Sequence, residues 1–118
     1  MLHRMQCDIV QTCGRNIRAL LAEMQEEQEL FDSPSTLHTV EAELLTMAQT
    51  LEHMSPLLRE RLTHLDWHGW HHLQQVLTLN EQPRRETVWY GIQALVPATL
   101  ELLAQLRRQE PVWFELGY

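Results

Sequence analysis

Apolar residues that recur at alternating steps of three and four most restrict the fold of this chain. That spacing places side chains on one face of an α-helix and does not match the two-residue alternation of a β-strand. The first such stripe predicts an amphipathic helix from about Leu2 to about Leu30, with an acidic and polar end. Its inward-facing residues are expected to be Ile9, Val10, Cys13, Ile17, Leu20, Leu21 and Met24.

Two further helices are predicted from cap-then-proline signals. Ser33 before Pro34 is expected to cap a second helix that runs to about Met54, and Ser55 before Pro56 repeats the signal for a short third helix. The inward residues are expected to be Leu37, Val40, Leu44, Leu45, Ala48 and Leu51 in the second helix, and Leu57, Leu58, Leu62 and Leu65 in the third.

The C-terminal half predicts two more helices. Asp66 is the expected cap of a short fourth helix over residues 66–77, and 78–82 is expected to be a loop. A final long helix over 83–109 contains Pro97, which removes a backbone donor and is expected to kink it. No strand pattern or internal repeat is present, so the predicted fold is an all-α, up-and-down bundle of four to five helices. The inward residues of the final helix are expected to be Val88, Ile92, Leu95, Val96, Leu103 and Leu106.

A length of 118 residues fits one domain. We expect residues 1–110 to form the helical bundle. Residues 111–118 (PVWFELGY) are too apolar for a solvated end, and we expect this tail to dock on its own bundle or on a second subunit.

Composition and charge narrow the class of protein. The net charge of -7 argues against a broad phosphate-binding surface. No apolar run approaches the roughly 20 residues of a membrane span, and no leader pattern opens the chain, so we expect a cytoplasmic protein that does not enter a membrane. Cys7 and Cys13 are six residues apart on one predicted helix and face different ways, which predicts reduced thiols.

The heptapeptide Asp66–His72 (DWHGWHH) concentrates three histidines and two tryptophans. His64, His68 and His72 stand at i, i+4 and i+8, and His71 follows His68 by three, which is the spacing of imidazole ligands on one helix face. Two features count against a metal site. Asp66 is expected to begin a new helix after His64, and no glutamate follows in the H-E-x-x-H manner of zinc proteases. A polar helix face in a histidine-rich chain is the alternative, and no cofactor is expected.

Metal-independent RNA cleavage needs a histidine to move a proton and a cation to hold the phosphate. Arg59 and His64 are the first candidates, and His71 and His72 are further ones. In a chain with nine arginines and seven histidines, such pairs also arise by chance.

Trp67, Trp70 and Trp89 are aromatic residues that stack on bases in nucleic-acid-binding proteins. At helical spacing, aromatic residues more commonly belong to a core or to a dimer interface, which is the reading that we favour for these three.

The order of segments resembles the HepT-like branch of the HEPN superfamily over about residues 8–108. The resemblance is carried by Asp8-Ile9-Val10, the helix TLHTVEAELLTMAQTLE, Ser55-Pro56-Leu57-Leu58, Asp66-Trp67, and the closing Val88-Trp89 and Leu95-Val96-Pro97. It implies a small helical bundle that forms a homodimer. It also implies descent from ribonuclease toxins whose partner is a minimal nucleotidyltransferase.

The departure from that pattern lies between Trp67 and Val88. Family members place Arg-Asn and then His in this interval, whereas here Gln74-Gln75 and Leu79 occupy those places. Glutamine supplies no fixed positive charge and leucine transfers no proton. The resemblance therefore implies a dimeric binding or regulatory protein without ribonuclease activity. An active ribonuclease, with RNA as substrate, and a histidine-cluster metal protein remain the alternatives.

Overall fold

The structure is a computed structural model that describes residues 2–115, with only the backbone of Leu2 and Glu115. The prediction that the tail docks on the bundle or on a second subunit includes residues 116–118, which lie outside the described residues. The described chain forms eight α-helical segments and one π-helical turn. They are α1 (Leu2–Leu21), α2 (Glu27–Phe31), α3 (Pro34–Glu52), α4 (Pro56–Arg61), α5 (Trp67–Leu79), α6 (Arg84–Tyr90), the π-helical turn Gly91–Leu95, α7 (Val96–Gln109) and α8 (Val112–Glu115).

The predicted all-α bundle is confirmed. Helix α1 packs against α3 and α7, and α3 packs against α5, so the long helices enclose one apolar core. Burying these side chains removes apolar surface from water, which is the main force that holds such a bundle together. The core includes Val10, Ile17, Leu44, Leu51, Leu73 and Leu103, all of which are at most 1% exposed.

The first helix is shorter than predicted, because α1 ends at Leu21 and not near Leu30. The backbone N–H of Met24 bonds to the carbonyl of Leu21, a tighter three-residue step, and the chain then turns. The separate helix α2 returns Leu30 to the core, where it is fully buried. A straight continuation through the polar stretch after Met24 has no apolar face to bury, so the turn is favoured.

Three residues that were predicted to face inward are instead exposed. Ile9 is 41% exposed, Leu20 is 38% exposed and Leu57 is 47% exposed. Each stripe is wider than the strip of helix surface that its neighbours cover, so the residues at its edge remain in solvent.

Two of the three predicted caps form as expected. Ser55 Oγ accepts the N–H of Leu58 at 3.3 Å, and Asp66 Oδ1 accepts the N–H of Gly69 at 2.8 Å. Ser33 does precede α3, but its hydroxyl donates to the carbonyl of Glu29 and does not cap the helix.

The predicted loop 78–82 begins late, since α5 extends to Leu79 and ends at Asn80 in the left-handed conformation (φ 52°).

The predicted last helix is interrupted one turn before Pro97. Gly91–Leu95 is π-helical, with the N–H of Val96 bonded to the carbonyl of Gly91, and α7 then resumes at Val96. Proline lacks an N–H and its ring crowds the carbonyl four residues earlier. A wider turn accommodates that ring, so the distortion lies in the turn that precedes Pro97.

The described part of the tail packs on its own chain. Phe114 is 9% exposed and lies under the Arg107 guanidinium, with 4.5 Å from Cζ to the ring centroid. Trp113 lies 5.3 Å from the His3 ring, centroid to centroid, which joins α8 to α1. None of the described helices is both long enough and apolar enough to cross a bilayer.

Candidate functional site

The N-terminus of α5 is held in place by the capping side chain of Asp66. Its Oδ1 accepts the N–H of Gly69, and its Oδ2 accepts the hydroxyl of Tyr90 at 3.2 Å. The carboxylate charge of Asp66 and this hydrogen bond raise the pKa of Tyr90. The capped helix directs Trp67, Trp70 and His71 toward α3 and α4.

A hollow of 290 Å³ lies between α3, α4 and the start of α5, and is called the central hollow below. It gathers residues that are distant in the sequence. Its lining is Ala48, Leu51 and Glu52 from α3, Arg59 from α4, and Trp67, His68, Trp70, His71 and Gln74 from α5.

Arg59 forms one side of the central hollow and stacks on an indole. Its Cζ lies 4.5 Å from the ring centroid of Trp67, and its Nη2 donates to the backbone carbonyl of Glu52 at 3.0 Å. The Trp67 ring is fixed in turn, because its Nε1 donates to the carbonyl of Leu62 at 3.0 Å. A stacked and hydrogen-bonded guanidinium has lost much of its freedom to reorient toward an incoming ligand.

Glu52 and His71 face each other across the opening of the central hollow. Nδ1 of His71 lies 3.7 Å from Oε1 of Glu52, and the two side chains are 56% and 39% exposed. The distance is longer than a hydrogen bond, and solvent reaches both groups, so the attraction between them is weak. The pair nevertheless places a carboxylate beside the imidazole.

Two α5 side chains form the inner wall of the central hollow. Trp70 is 2% exposed, and its Nε1 donates to Oγ1 of Thr99 at 2.9 Å, so its ring is part of the core. Oε1 of Gln74 is buried and has no hydrogen-bond partner among the described residues. An unpaired buried acceptor is costly, and a ligand that brings a donor would relieve that cost.

The other candidates lie away from the central hollow. His64 is exposed in the turn after α4, His72 is exposed on α5, and Trp89 is half-buried on α6. Gln75 and Leu79 lie with Gln74, His71 and Thr78 around a shallow depression of 180 Å³ on the surface of α5. Leu79 is 62% exposed there, so Gln74, Gln75 and Leu79 share one helix face and none of them carries a charge.

The histidines do not assemble into a metal-binding group in the described part of the chain. Among residues 2–115, no set of three or more His, Cys, Asp or Glu side chains is close enough to hold a metal ion. His64 and His72 therefore do not join His68 as ligands, because the turn between α4 and α5 separates His64 from the α5 face.

The cysteines are free and buried, in agreement with the prediction of unpaired thiols. Burial raises the pKa of Cys7 to about 11. Burial, followed by the hydrogen bond and charge of Glu43, raises the pKa of Cys13 to about 12. Neither thiol is a nucleophile near neutral pH, because the thiolate is the reactive form.

Glu52 was not identified from the sequence. The carboxylates nearest along the chain to the histidine cluster 64–72 are Glu60 and Asp66, and neither lines the central hollow. Glu52 reaches His71 because α3 packs against α5. The sequence indicated only that Glu52 lies near the end of the second predicted helix, just before the Ser55-Pro56 cap of the next one.

No protein-family model, curated protein or solved structure matches this chain. The resemblance to the HepT-like branch therefore depends on the order of the segments quoted above, and the central hollow is interpreted from its own geometry.

Proposed function

We propose that this protein is a dimeric binding partner of HepT-like lineage without ribonuclease activity, and that the central hollow is its recognition site. The partner class that the resemblance suggests is a minimal nucleotidyltransferase. The group that enters the hollow would be a hydrogen-bond donor on a planar body, such as a side-chain amide or guanidinium of the partner.

The observation that carries this proposal is the place of Glu52. Its carbonyl holds Arg59 and its carboxylate faces His71, so it touches both groups that an RNA-cleaving site would need. A phosphate that approached both would meet a like charge within a few ångströms, which is repulsive. Glu52 and the unpaired Oε1 of Gln74 instead offer acceptors to a donor-bearing group.

The lining of the central hollow supports binding by a planar group. Trp67 is half-buried at its rim, and Leu51 and Ala48 supply apolar wall. Sites of this kind combine apolar walls with a few polar groups that orient the ligand.

The test of recognition is co-expression with a minimal nucleotidyltransferase encoded beside the gene for this chain. We expect a complex in size-exclusion chromatography that Glu52→Gln and Gln74→Leu each weaken. The matched control Gln75→Leu changes the same residue type one position along, outside the central hollow, and is expected to leave the complex intact. Failure to form any complex would contradict the proposed partner.

A homodimer is the second part of the proposal. Met5, Ile9 and Leu20 are exposed on one side of α1, because steps of four and eleven residues are close to whole helical turns. Exposed apolar residues in a row favour association. Sedimentation should give a dimer that Ile9→Arg dissociates, while Thr39→Arg, at an exposed position of α3, leaves it unchanged. A monomeric wild-type protein would contradict this part.

Metal-independent ribonuclease activity is the second candidate function, since Arg59 and His71 line the same hollow. Incubation of the purified protein with single-stranded RNA and EDTA separates the two functions. The binding proposal predicts no cleavage above that of an Arg59→Gln/His71→Gln control. Cleavage by the wild type that is lost in either single variant would replace it with the ribonuclease.

A further inference from the structure

A second concave site lies between α1 and α7. This groove has a volume of 250 Å³ and is called the α1–α7 groove below. It is lined by Gln11, Arg15 and Arg18 from α1 and by Pro97, Leu100, Glu101 and Ala104 from α7. It shares no residue with the central hollow.

Among the described residues, the two arginines of the α1–α7 groove differ from the other arginines in having no polar partner. Six of the nine arginines form ion pairs with carboxylates within the described chain. Arg59 is stacked and hydrogen-bonded. Arg15 and Arg18 form neither an ion pair nor a hydrogen bond with any described residue, and they are three positions apart, on adjacent turns of one helix face.

Gln11 adds an uncharged polar side chain to the lining of the groove. It lies one turn before Arg15, its side chain is 5% exposed, and it lines the groove. Its amide forms no hydrogen bond with residues 2–115, and solvent reaches its polar atoms, so the amide is available to a polar group in the groove.

Helices α1 and α7 approach closely beside the groove. A Cβ added at Gly14 would lie 2.7 Å from Cδ2 of Leu100, so a larger residue there would require the Leu100 side chain to move. Leu100, Ala104 and Pro97 give the groove an apolar wall opposite the arginines. The site can therefore hold an anionic group at one side and a small organic body at the other.

Glu101 limits the affinity of the site but does not fill it. Its Oε1 accepts a hydrogen bond from Nε2 of Gln105 and lies 3.8 Å from Nη2 of Arg108, so the carboxylate is directed along α7. The side chain is 65% exposed, which weakens its field in the groove.

We propose that the α1–α7 groove binds the phosphate or carboxylate group of a small anionic molecule, held by Arg15, Arg18 and the Gln11 amide. Guanidinium groups bind both oxyanions through paired N–H donors. The net charge of -7 opposes a long polyanion such as RNA, whereas a single oxyanion meets mainly the local field of the two arginines.

The test is an NMR titration of the full chain with inorganic phosphate, and separately with succinate, at low ionic strength. We expect saturable shifts in the amides of residues 11–18 and in the side-chain amide of Gln11. The tighter of the two probes identifies which oxyanion the site prefers. Chloride at the same ionic strength is the control for screening, and equal shifts with chloride would overturn the proposal.

Charge variants connect the binding to the groove. Arg15→Gln and Arg18→Gln should each weaken the binding of the preferred probe by about tenfold, the usual loss for a charge-assisted hydrogen bond. Glu101→Gln should tighten it by about threefold, because a like charge is removed. Gln11→Met, which keeps the shape and removes the amide, should weaken it while circular dichroism shows an unchanged helix content.

Arg4→Gln is the matched control. It makes the same change of charge on the same helix, about 16 Å from Arg15 along the axis. Its own ion pair with Asp8, at 3.8 Å, is exposed and weak. Binding that is unaffected by Arg15→Gln and Arg18→Gln, or that falls equally in Arg4→Gln, would overturn the proposal, as would the absence of saturable binding.

Discussion

Trp70 and Thr99 are joined by a buried hydrogen bond that links α5 to α7. The indole Nε1 donates to Oγ1 of Thr99 at 2.9 Å, and the two residues are 2% and 1% exposed. The bond orients the largest core side chain of α5, and with it the inner wall of the central hollow.

Removing the acceptor of this bond should destabilise the protein. Thr99→Val keeps the shape but leaves the indole N–H buried and unpaired, at a cost of about 1–3 kcal/mol. Urea denaturation measures the change in the free energy of unfolding. Thr99→Val should cost less in a Trp70→Phe background, where no donor remains. Equal costs in both backgrounds would show that the hydrogen bond contributes nothing.

The Asp66 cap should depend on the absence of a side chain at Gly69. A Cβ there would lie 2.5 Å from Oδ2 of Asp66 and 3.0 Å from Cδ2 of Leu95. Gly69→Ala should therefore displace the cap and lower the free energy of unfolding by about 1 kcal/mol, although alanine has the higher helix propensity. In an Asp66→Ala background most of that loss should vanish. Stabilisation by Gly69→Ala alone would contradict the geometry.

The titration of Tyr90 should report on Asp66. The negative charge of Asp66, then the hydrogen bond, hold the pKa of Tyr90 above its usual value of 10.0. Because the folded state raises this pKa, the stabilising contribution is present below pH 10.0 and is lost as pH rises through the folded value. Spectrophotometric titration in a Tyr118→Phe background should show a lower pKa in Asp66→Asn. An unchanged pKa would mean that the contact is absent in solution.

The thiols should be unreactive in the folded protein. The pKa of Cys7 is raised to about 11 and that of Cys13 to about 12, so almost no thiolate exists at pH 8. A disulfide reagent should modify neither cysteine in the native state and both in urea. Because folding raises both thiol pKa values, the two thiols stabilise the folded state at pH values below the usual thiol pKa. This stabilisation is lost as pH rises through about 11 to 12. Rapid labelling of the native protein near neutral pH would contradict the burial.

Replacement of Arg84 by lysine should lower the stability of the folded protein. Its Nε and Nη2 donate to the two carboxylate oxygens of Glu41 at 3.0 and 3.1 Å, and its Nη1 donates to Oδ1 of Asn80 at 3.1 Å. Lysine cannot reproduce that fork, so Arg84→Lys should cost about 1 kcal/mol in this partly exposed setting. The matched control Arg108→Lys, in a weak exposed pair, should cost nothing measurable in thermal denaturation. Equal effects would contradict a role for the paired geometry.

Local sequence patterns predicted the helices well, because helix formation and capping depend on residues that are neighbours in the sequence. Apolar spacing located the four long helical rods, and Ser55 and Asp66 were correctly identified as caps. The division of the first helix was missed, since it depends on Leu30 reaching the core, and the π-helical turn before Pro97 was predicted only as a kink.

Periodicity and capping chemistry, which act over a few residues, were enough to establish an all-α protein. The identity of the two candidate sites depended on packing between helices. Only the contact of α3 with α5 places Glu52 beside His71, and only the packing of α1 against α7 places Arg15 and Arg18 beside a groove. Contacts between distant segments are set by the shape of the whole core, which no short stretch of sequence encodes.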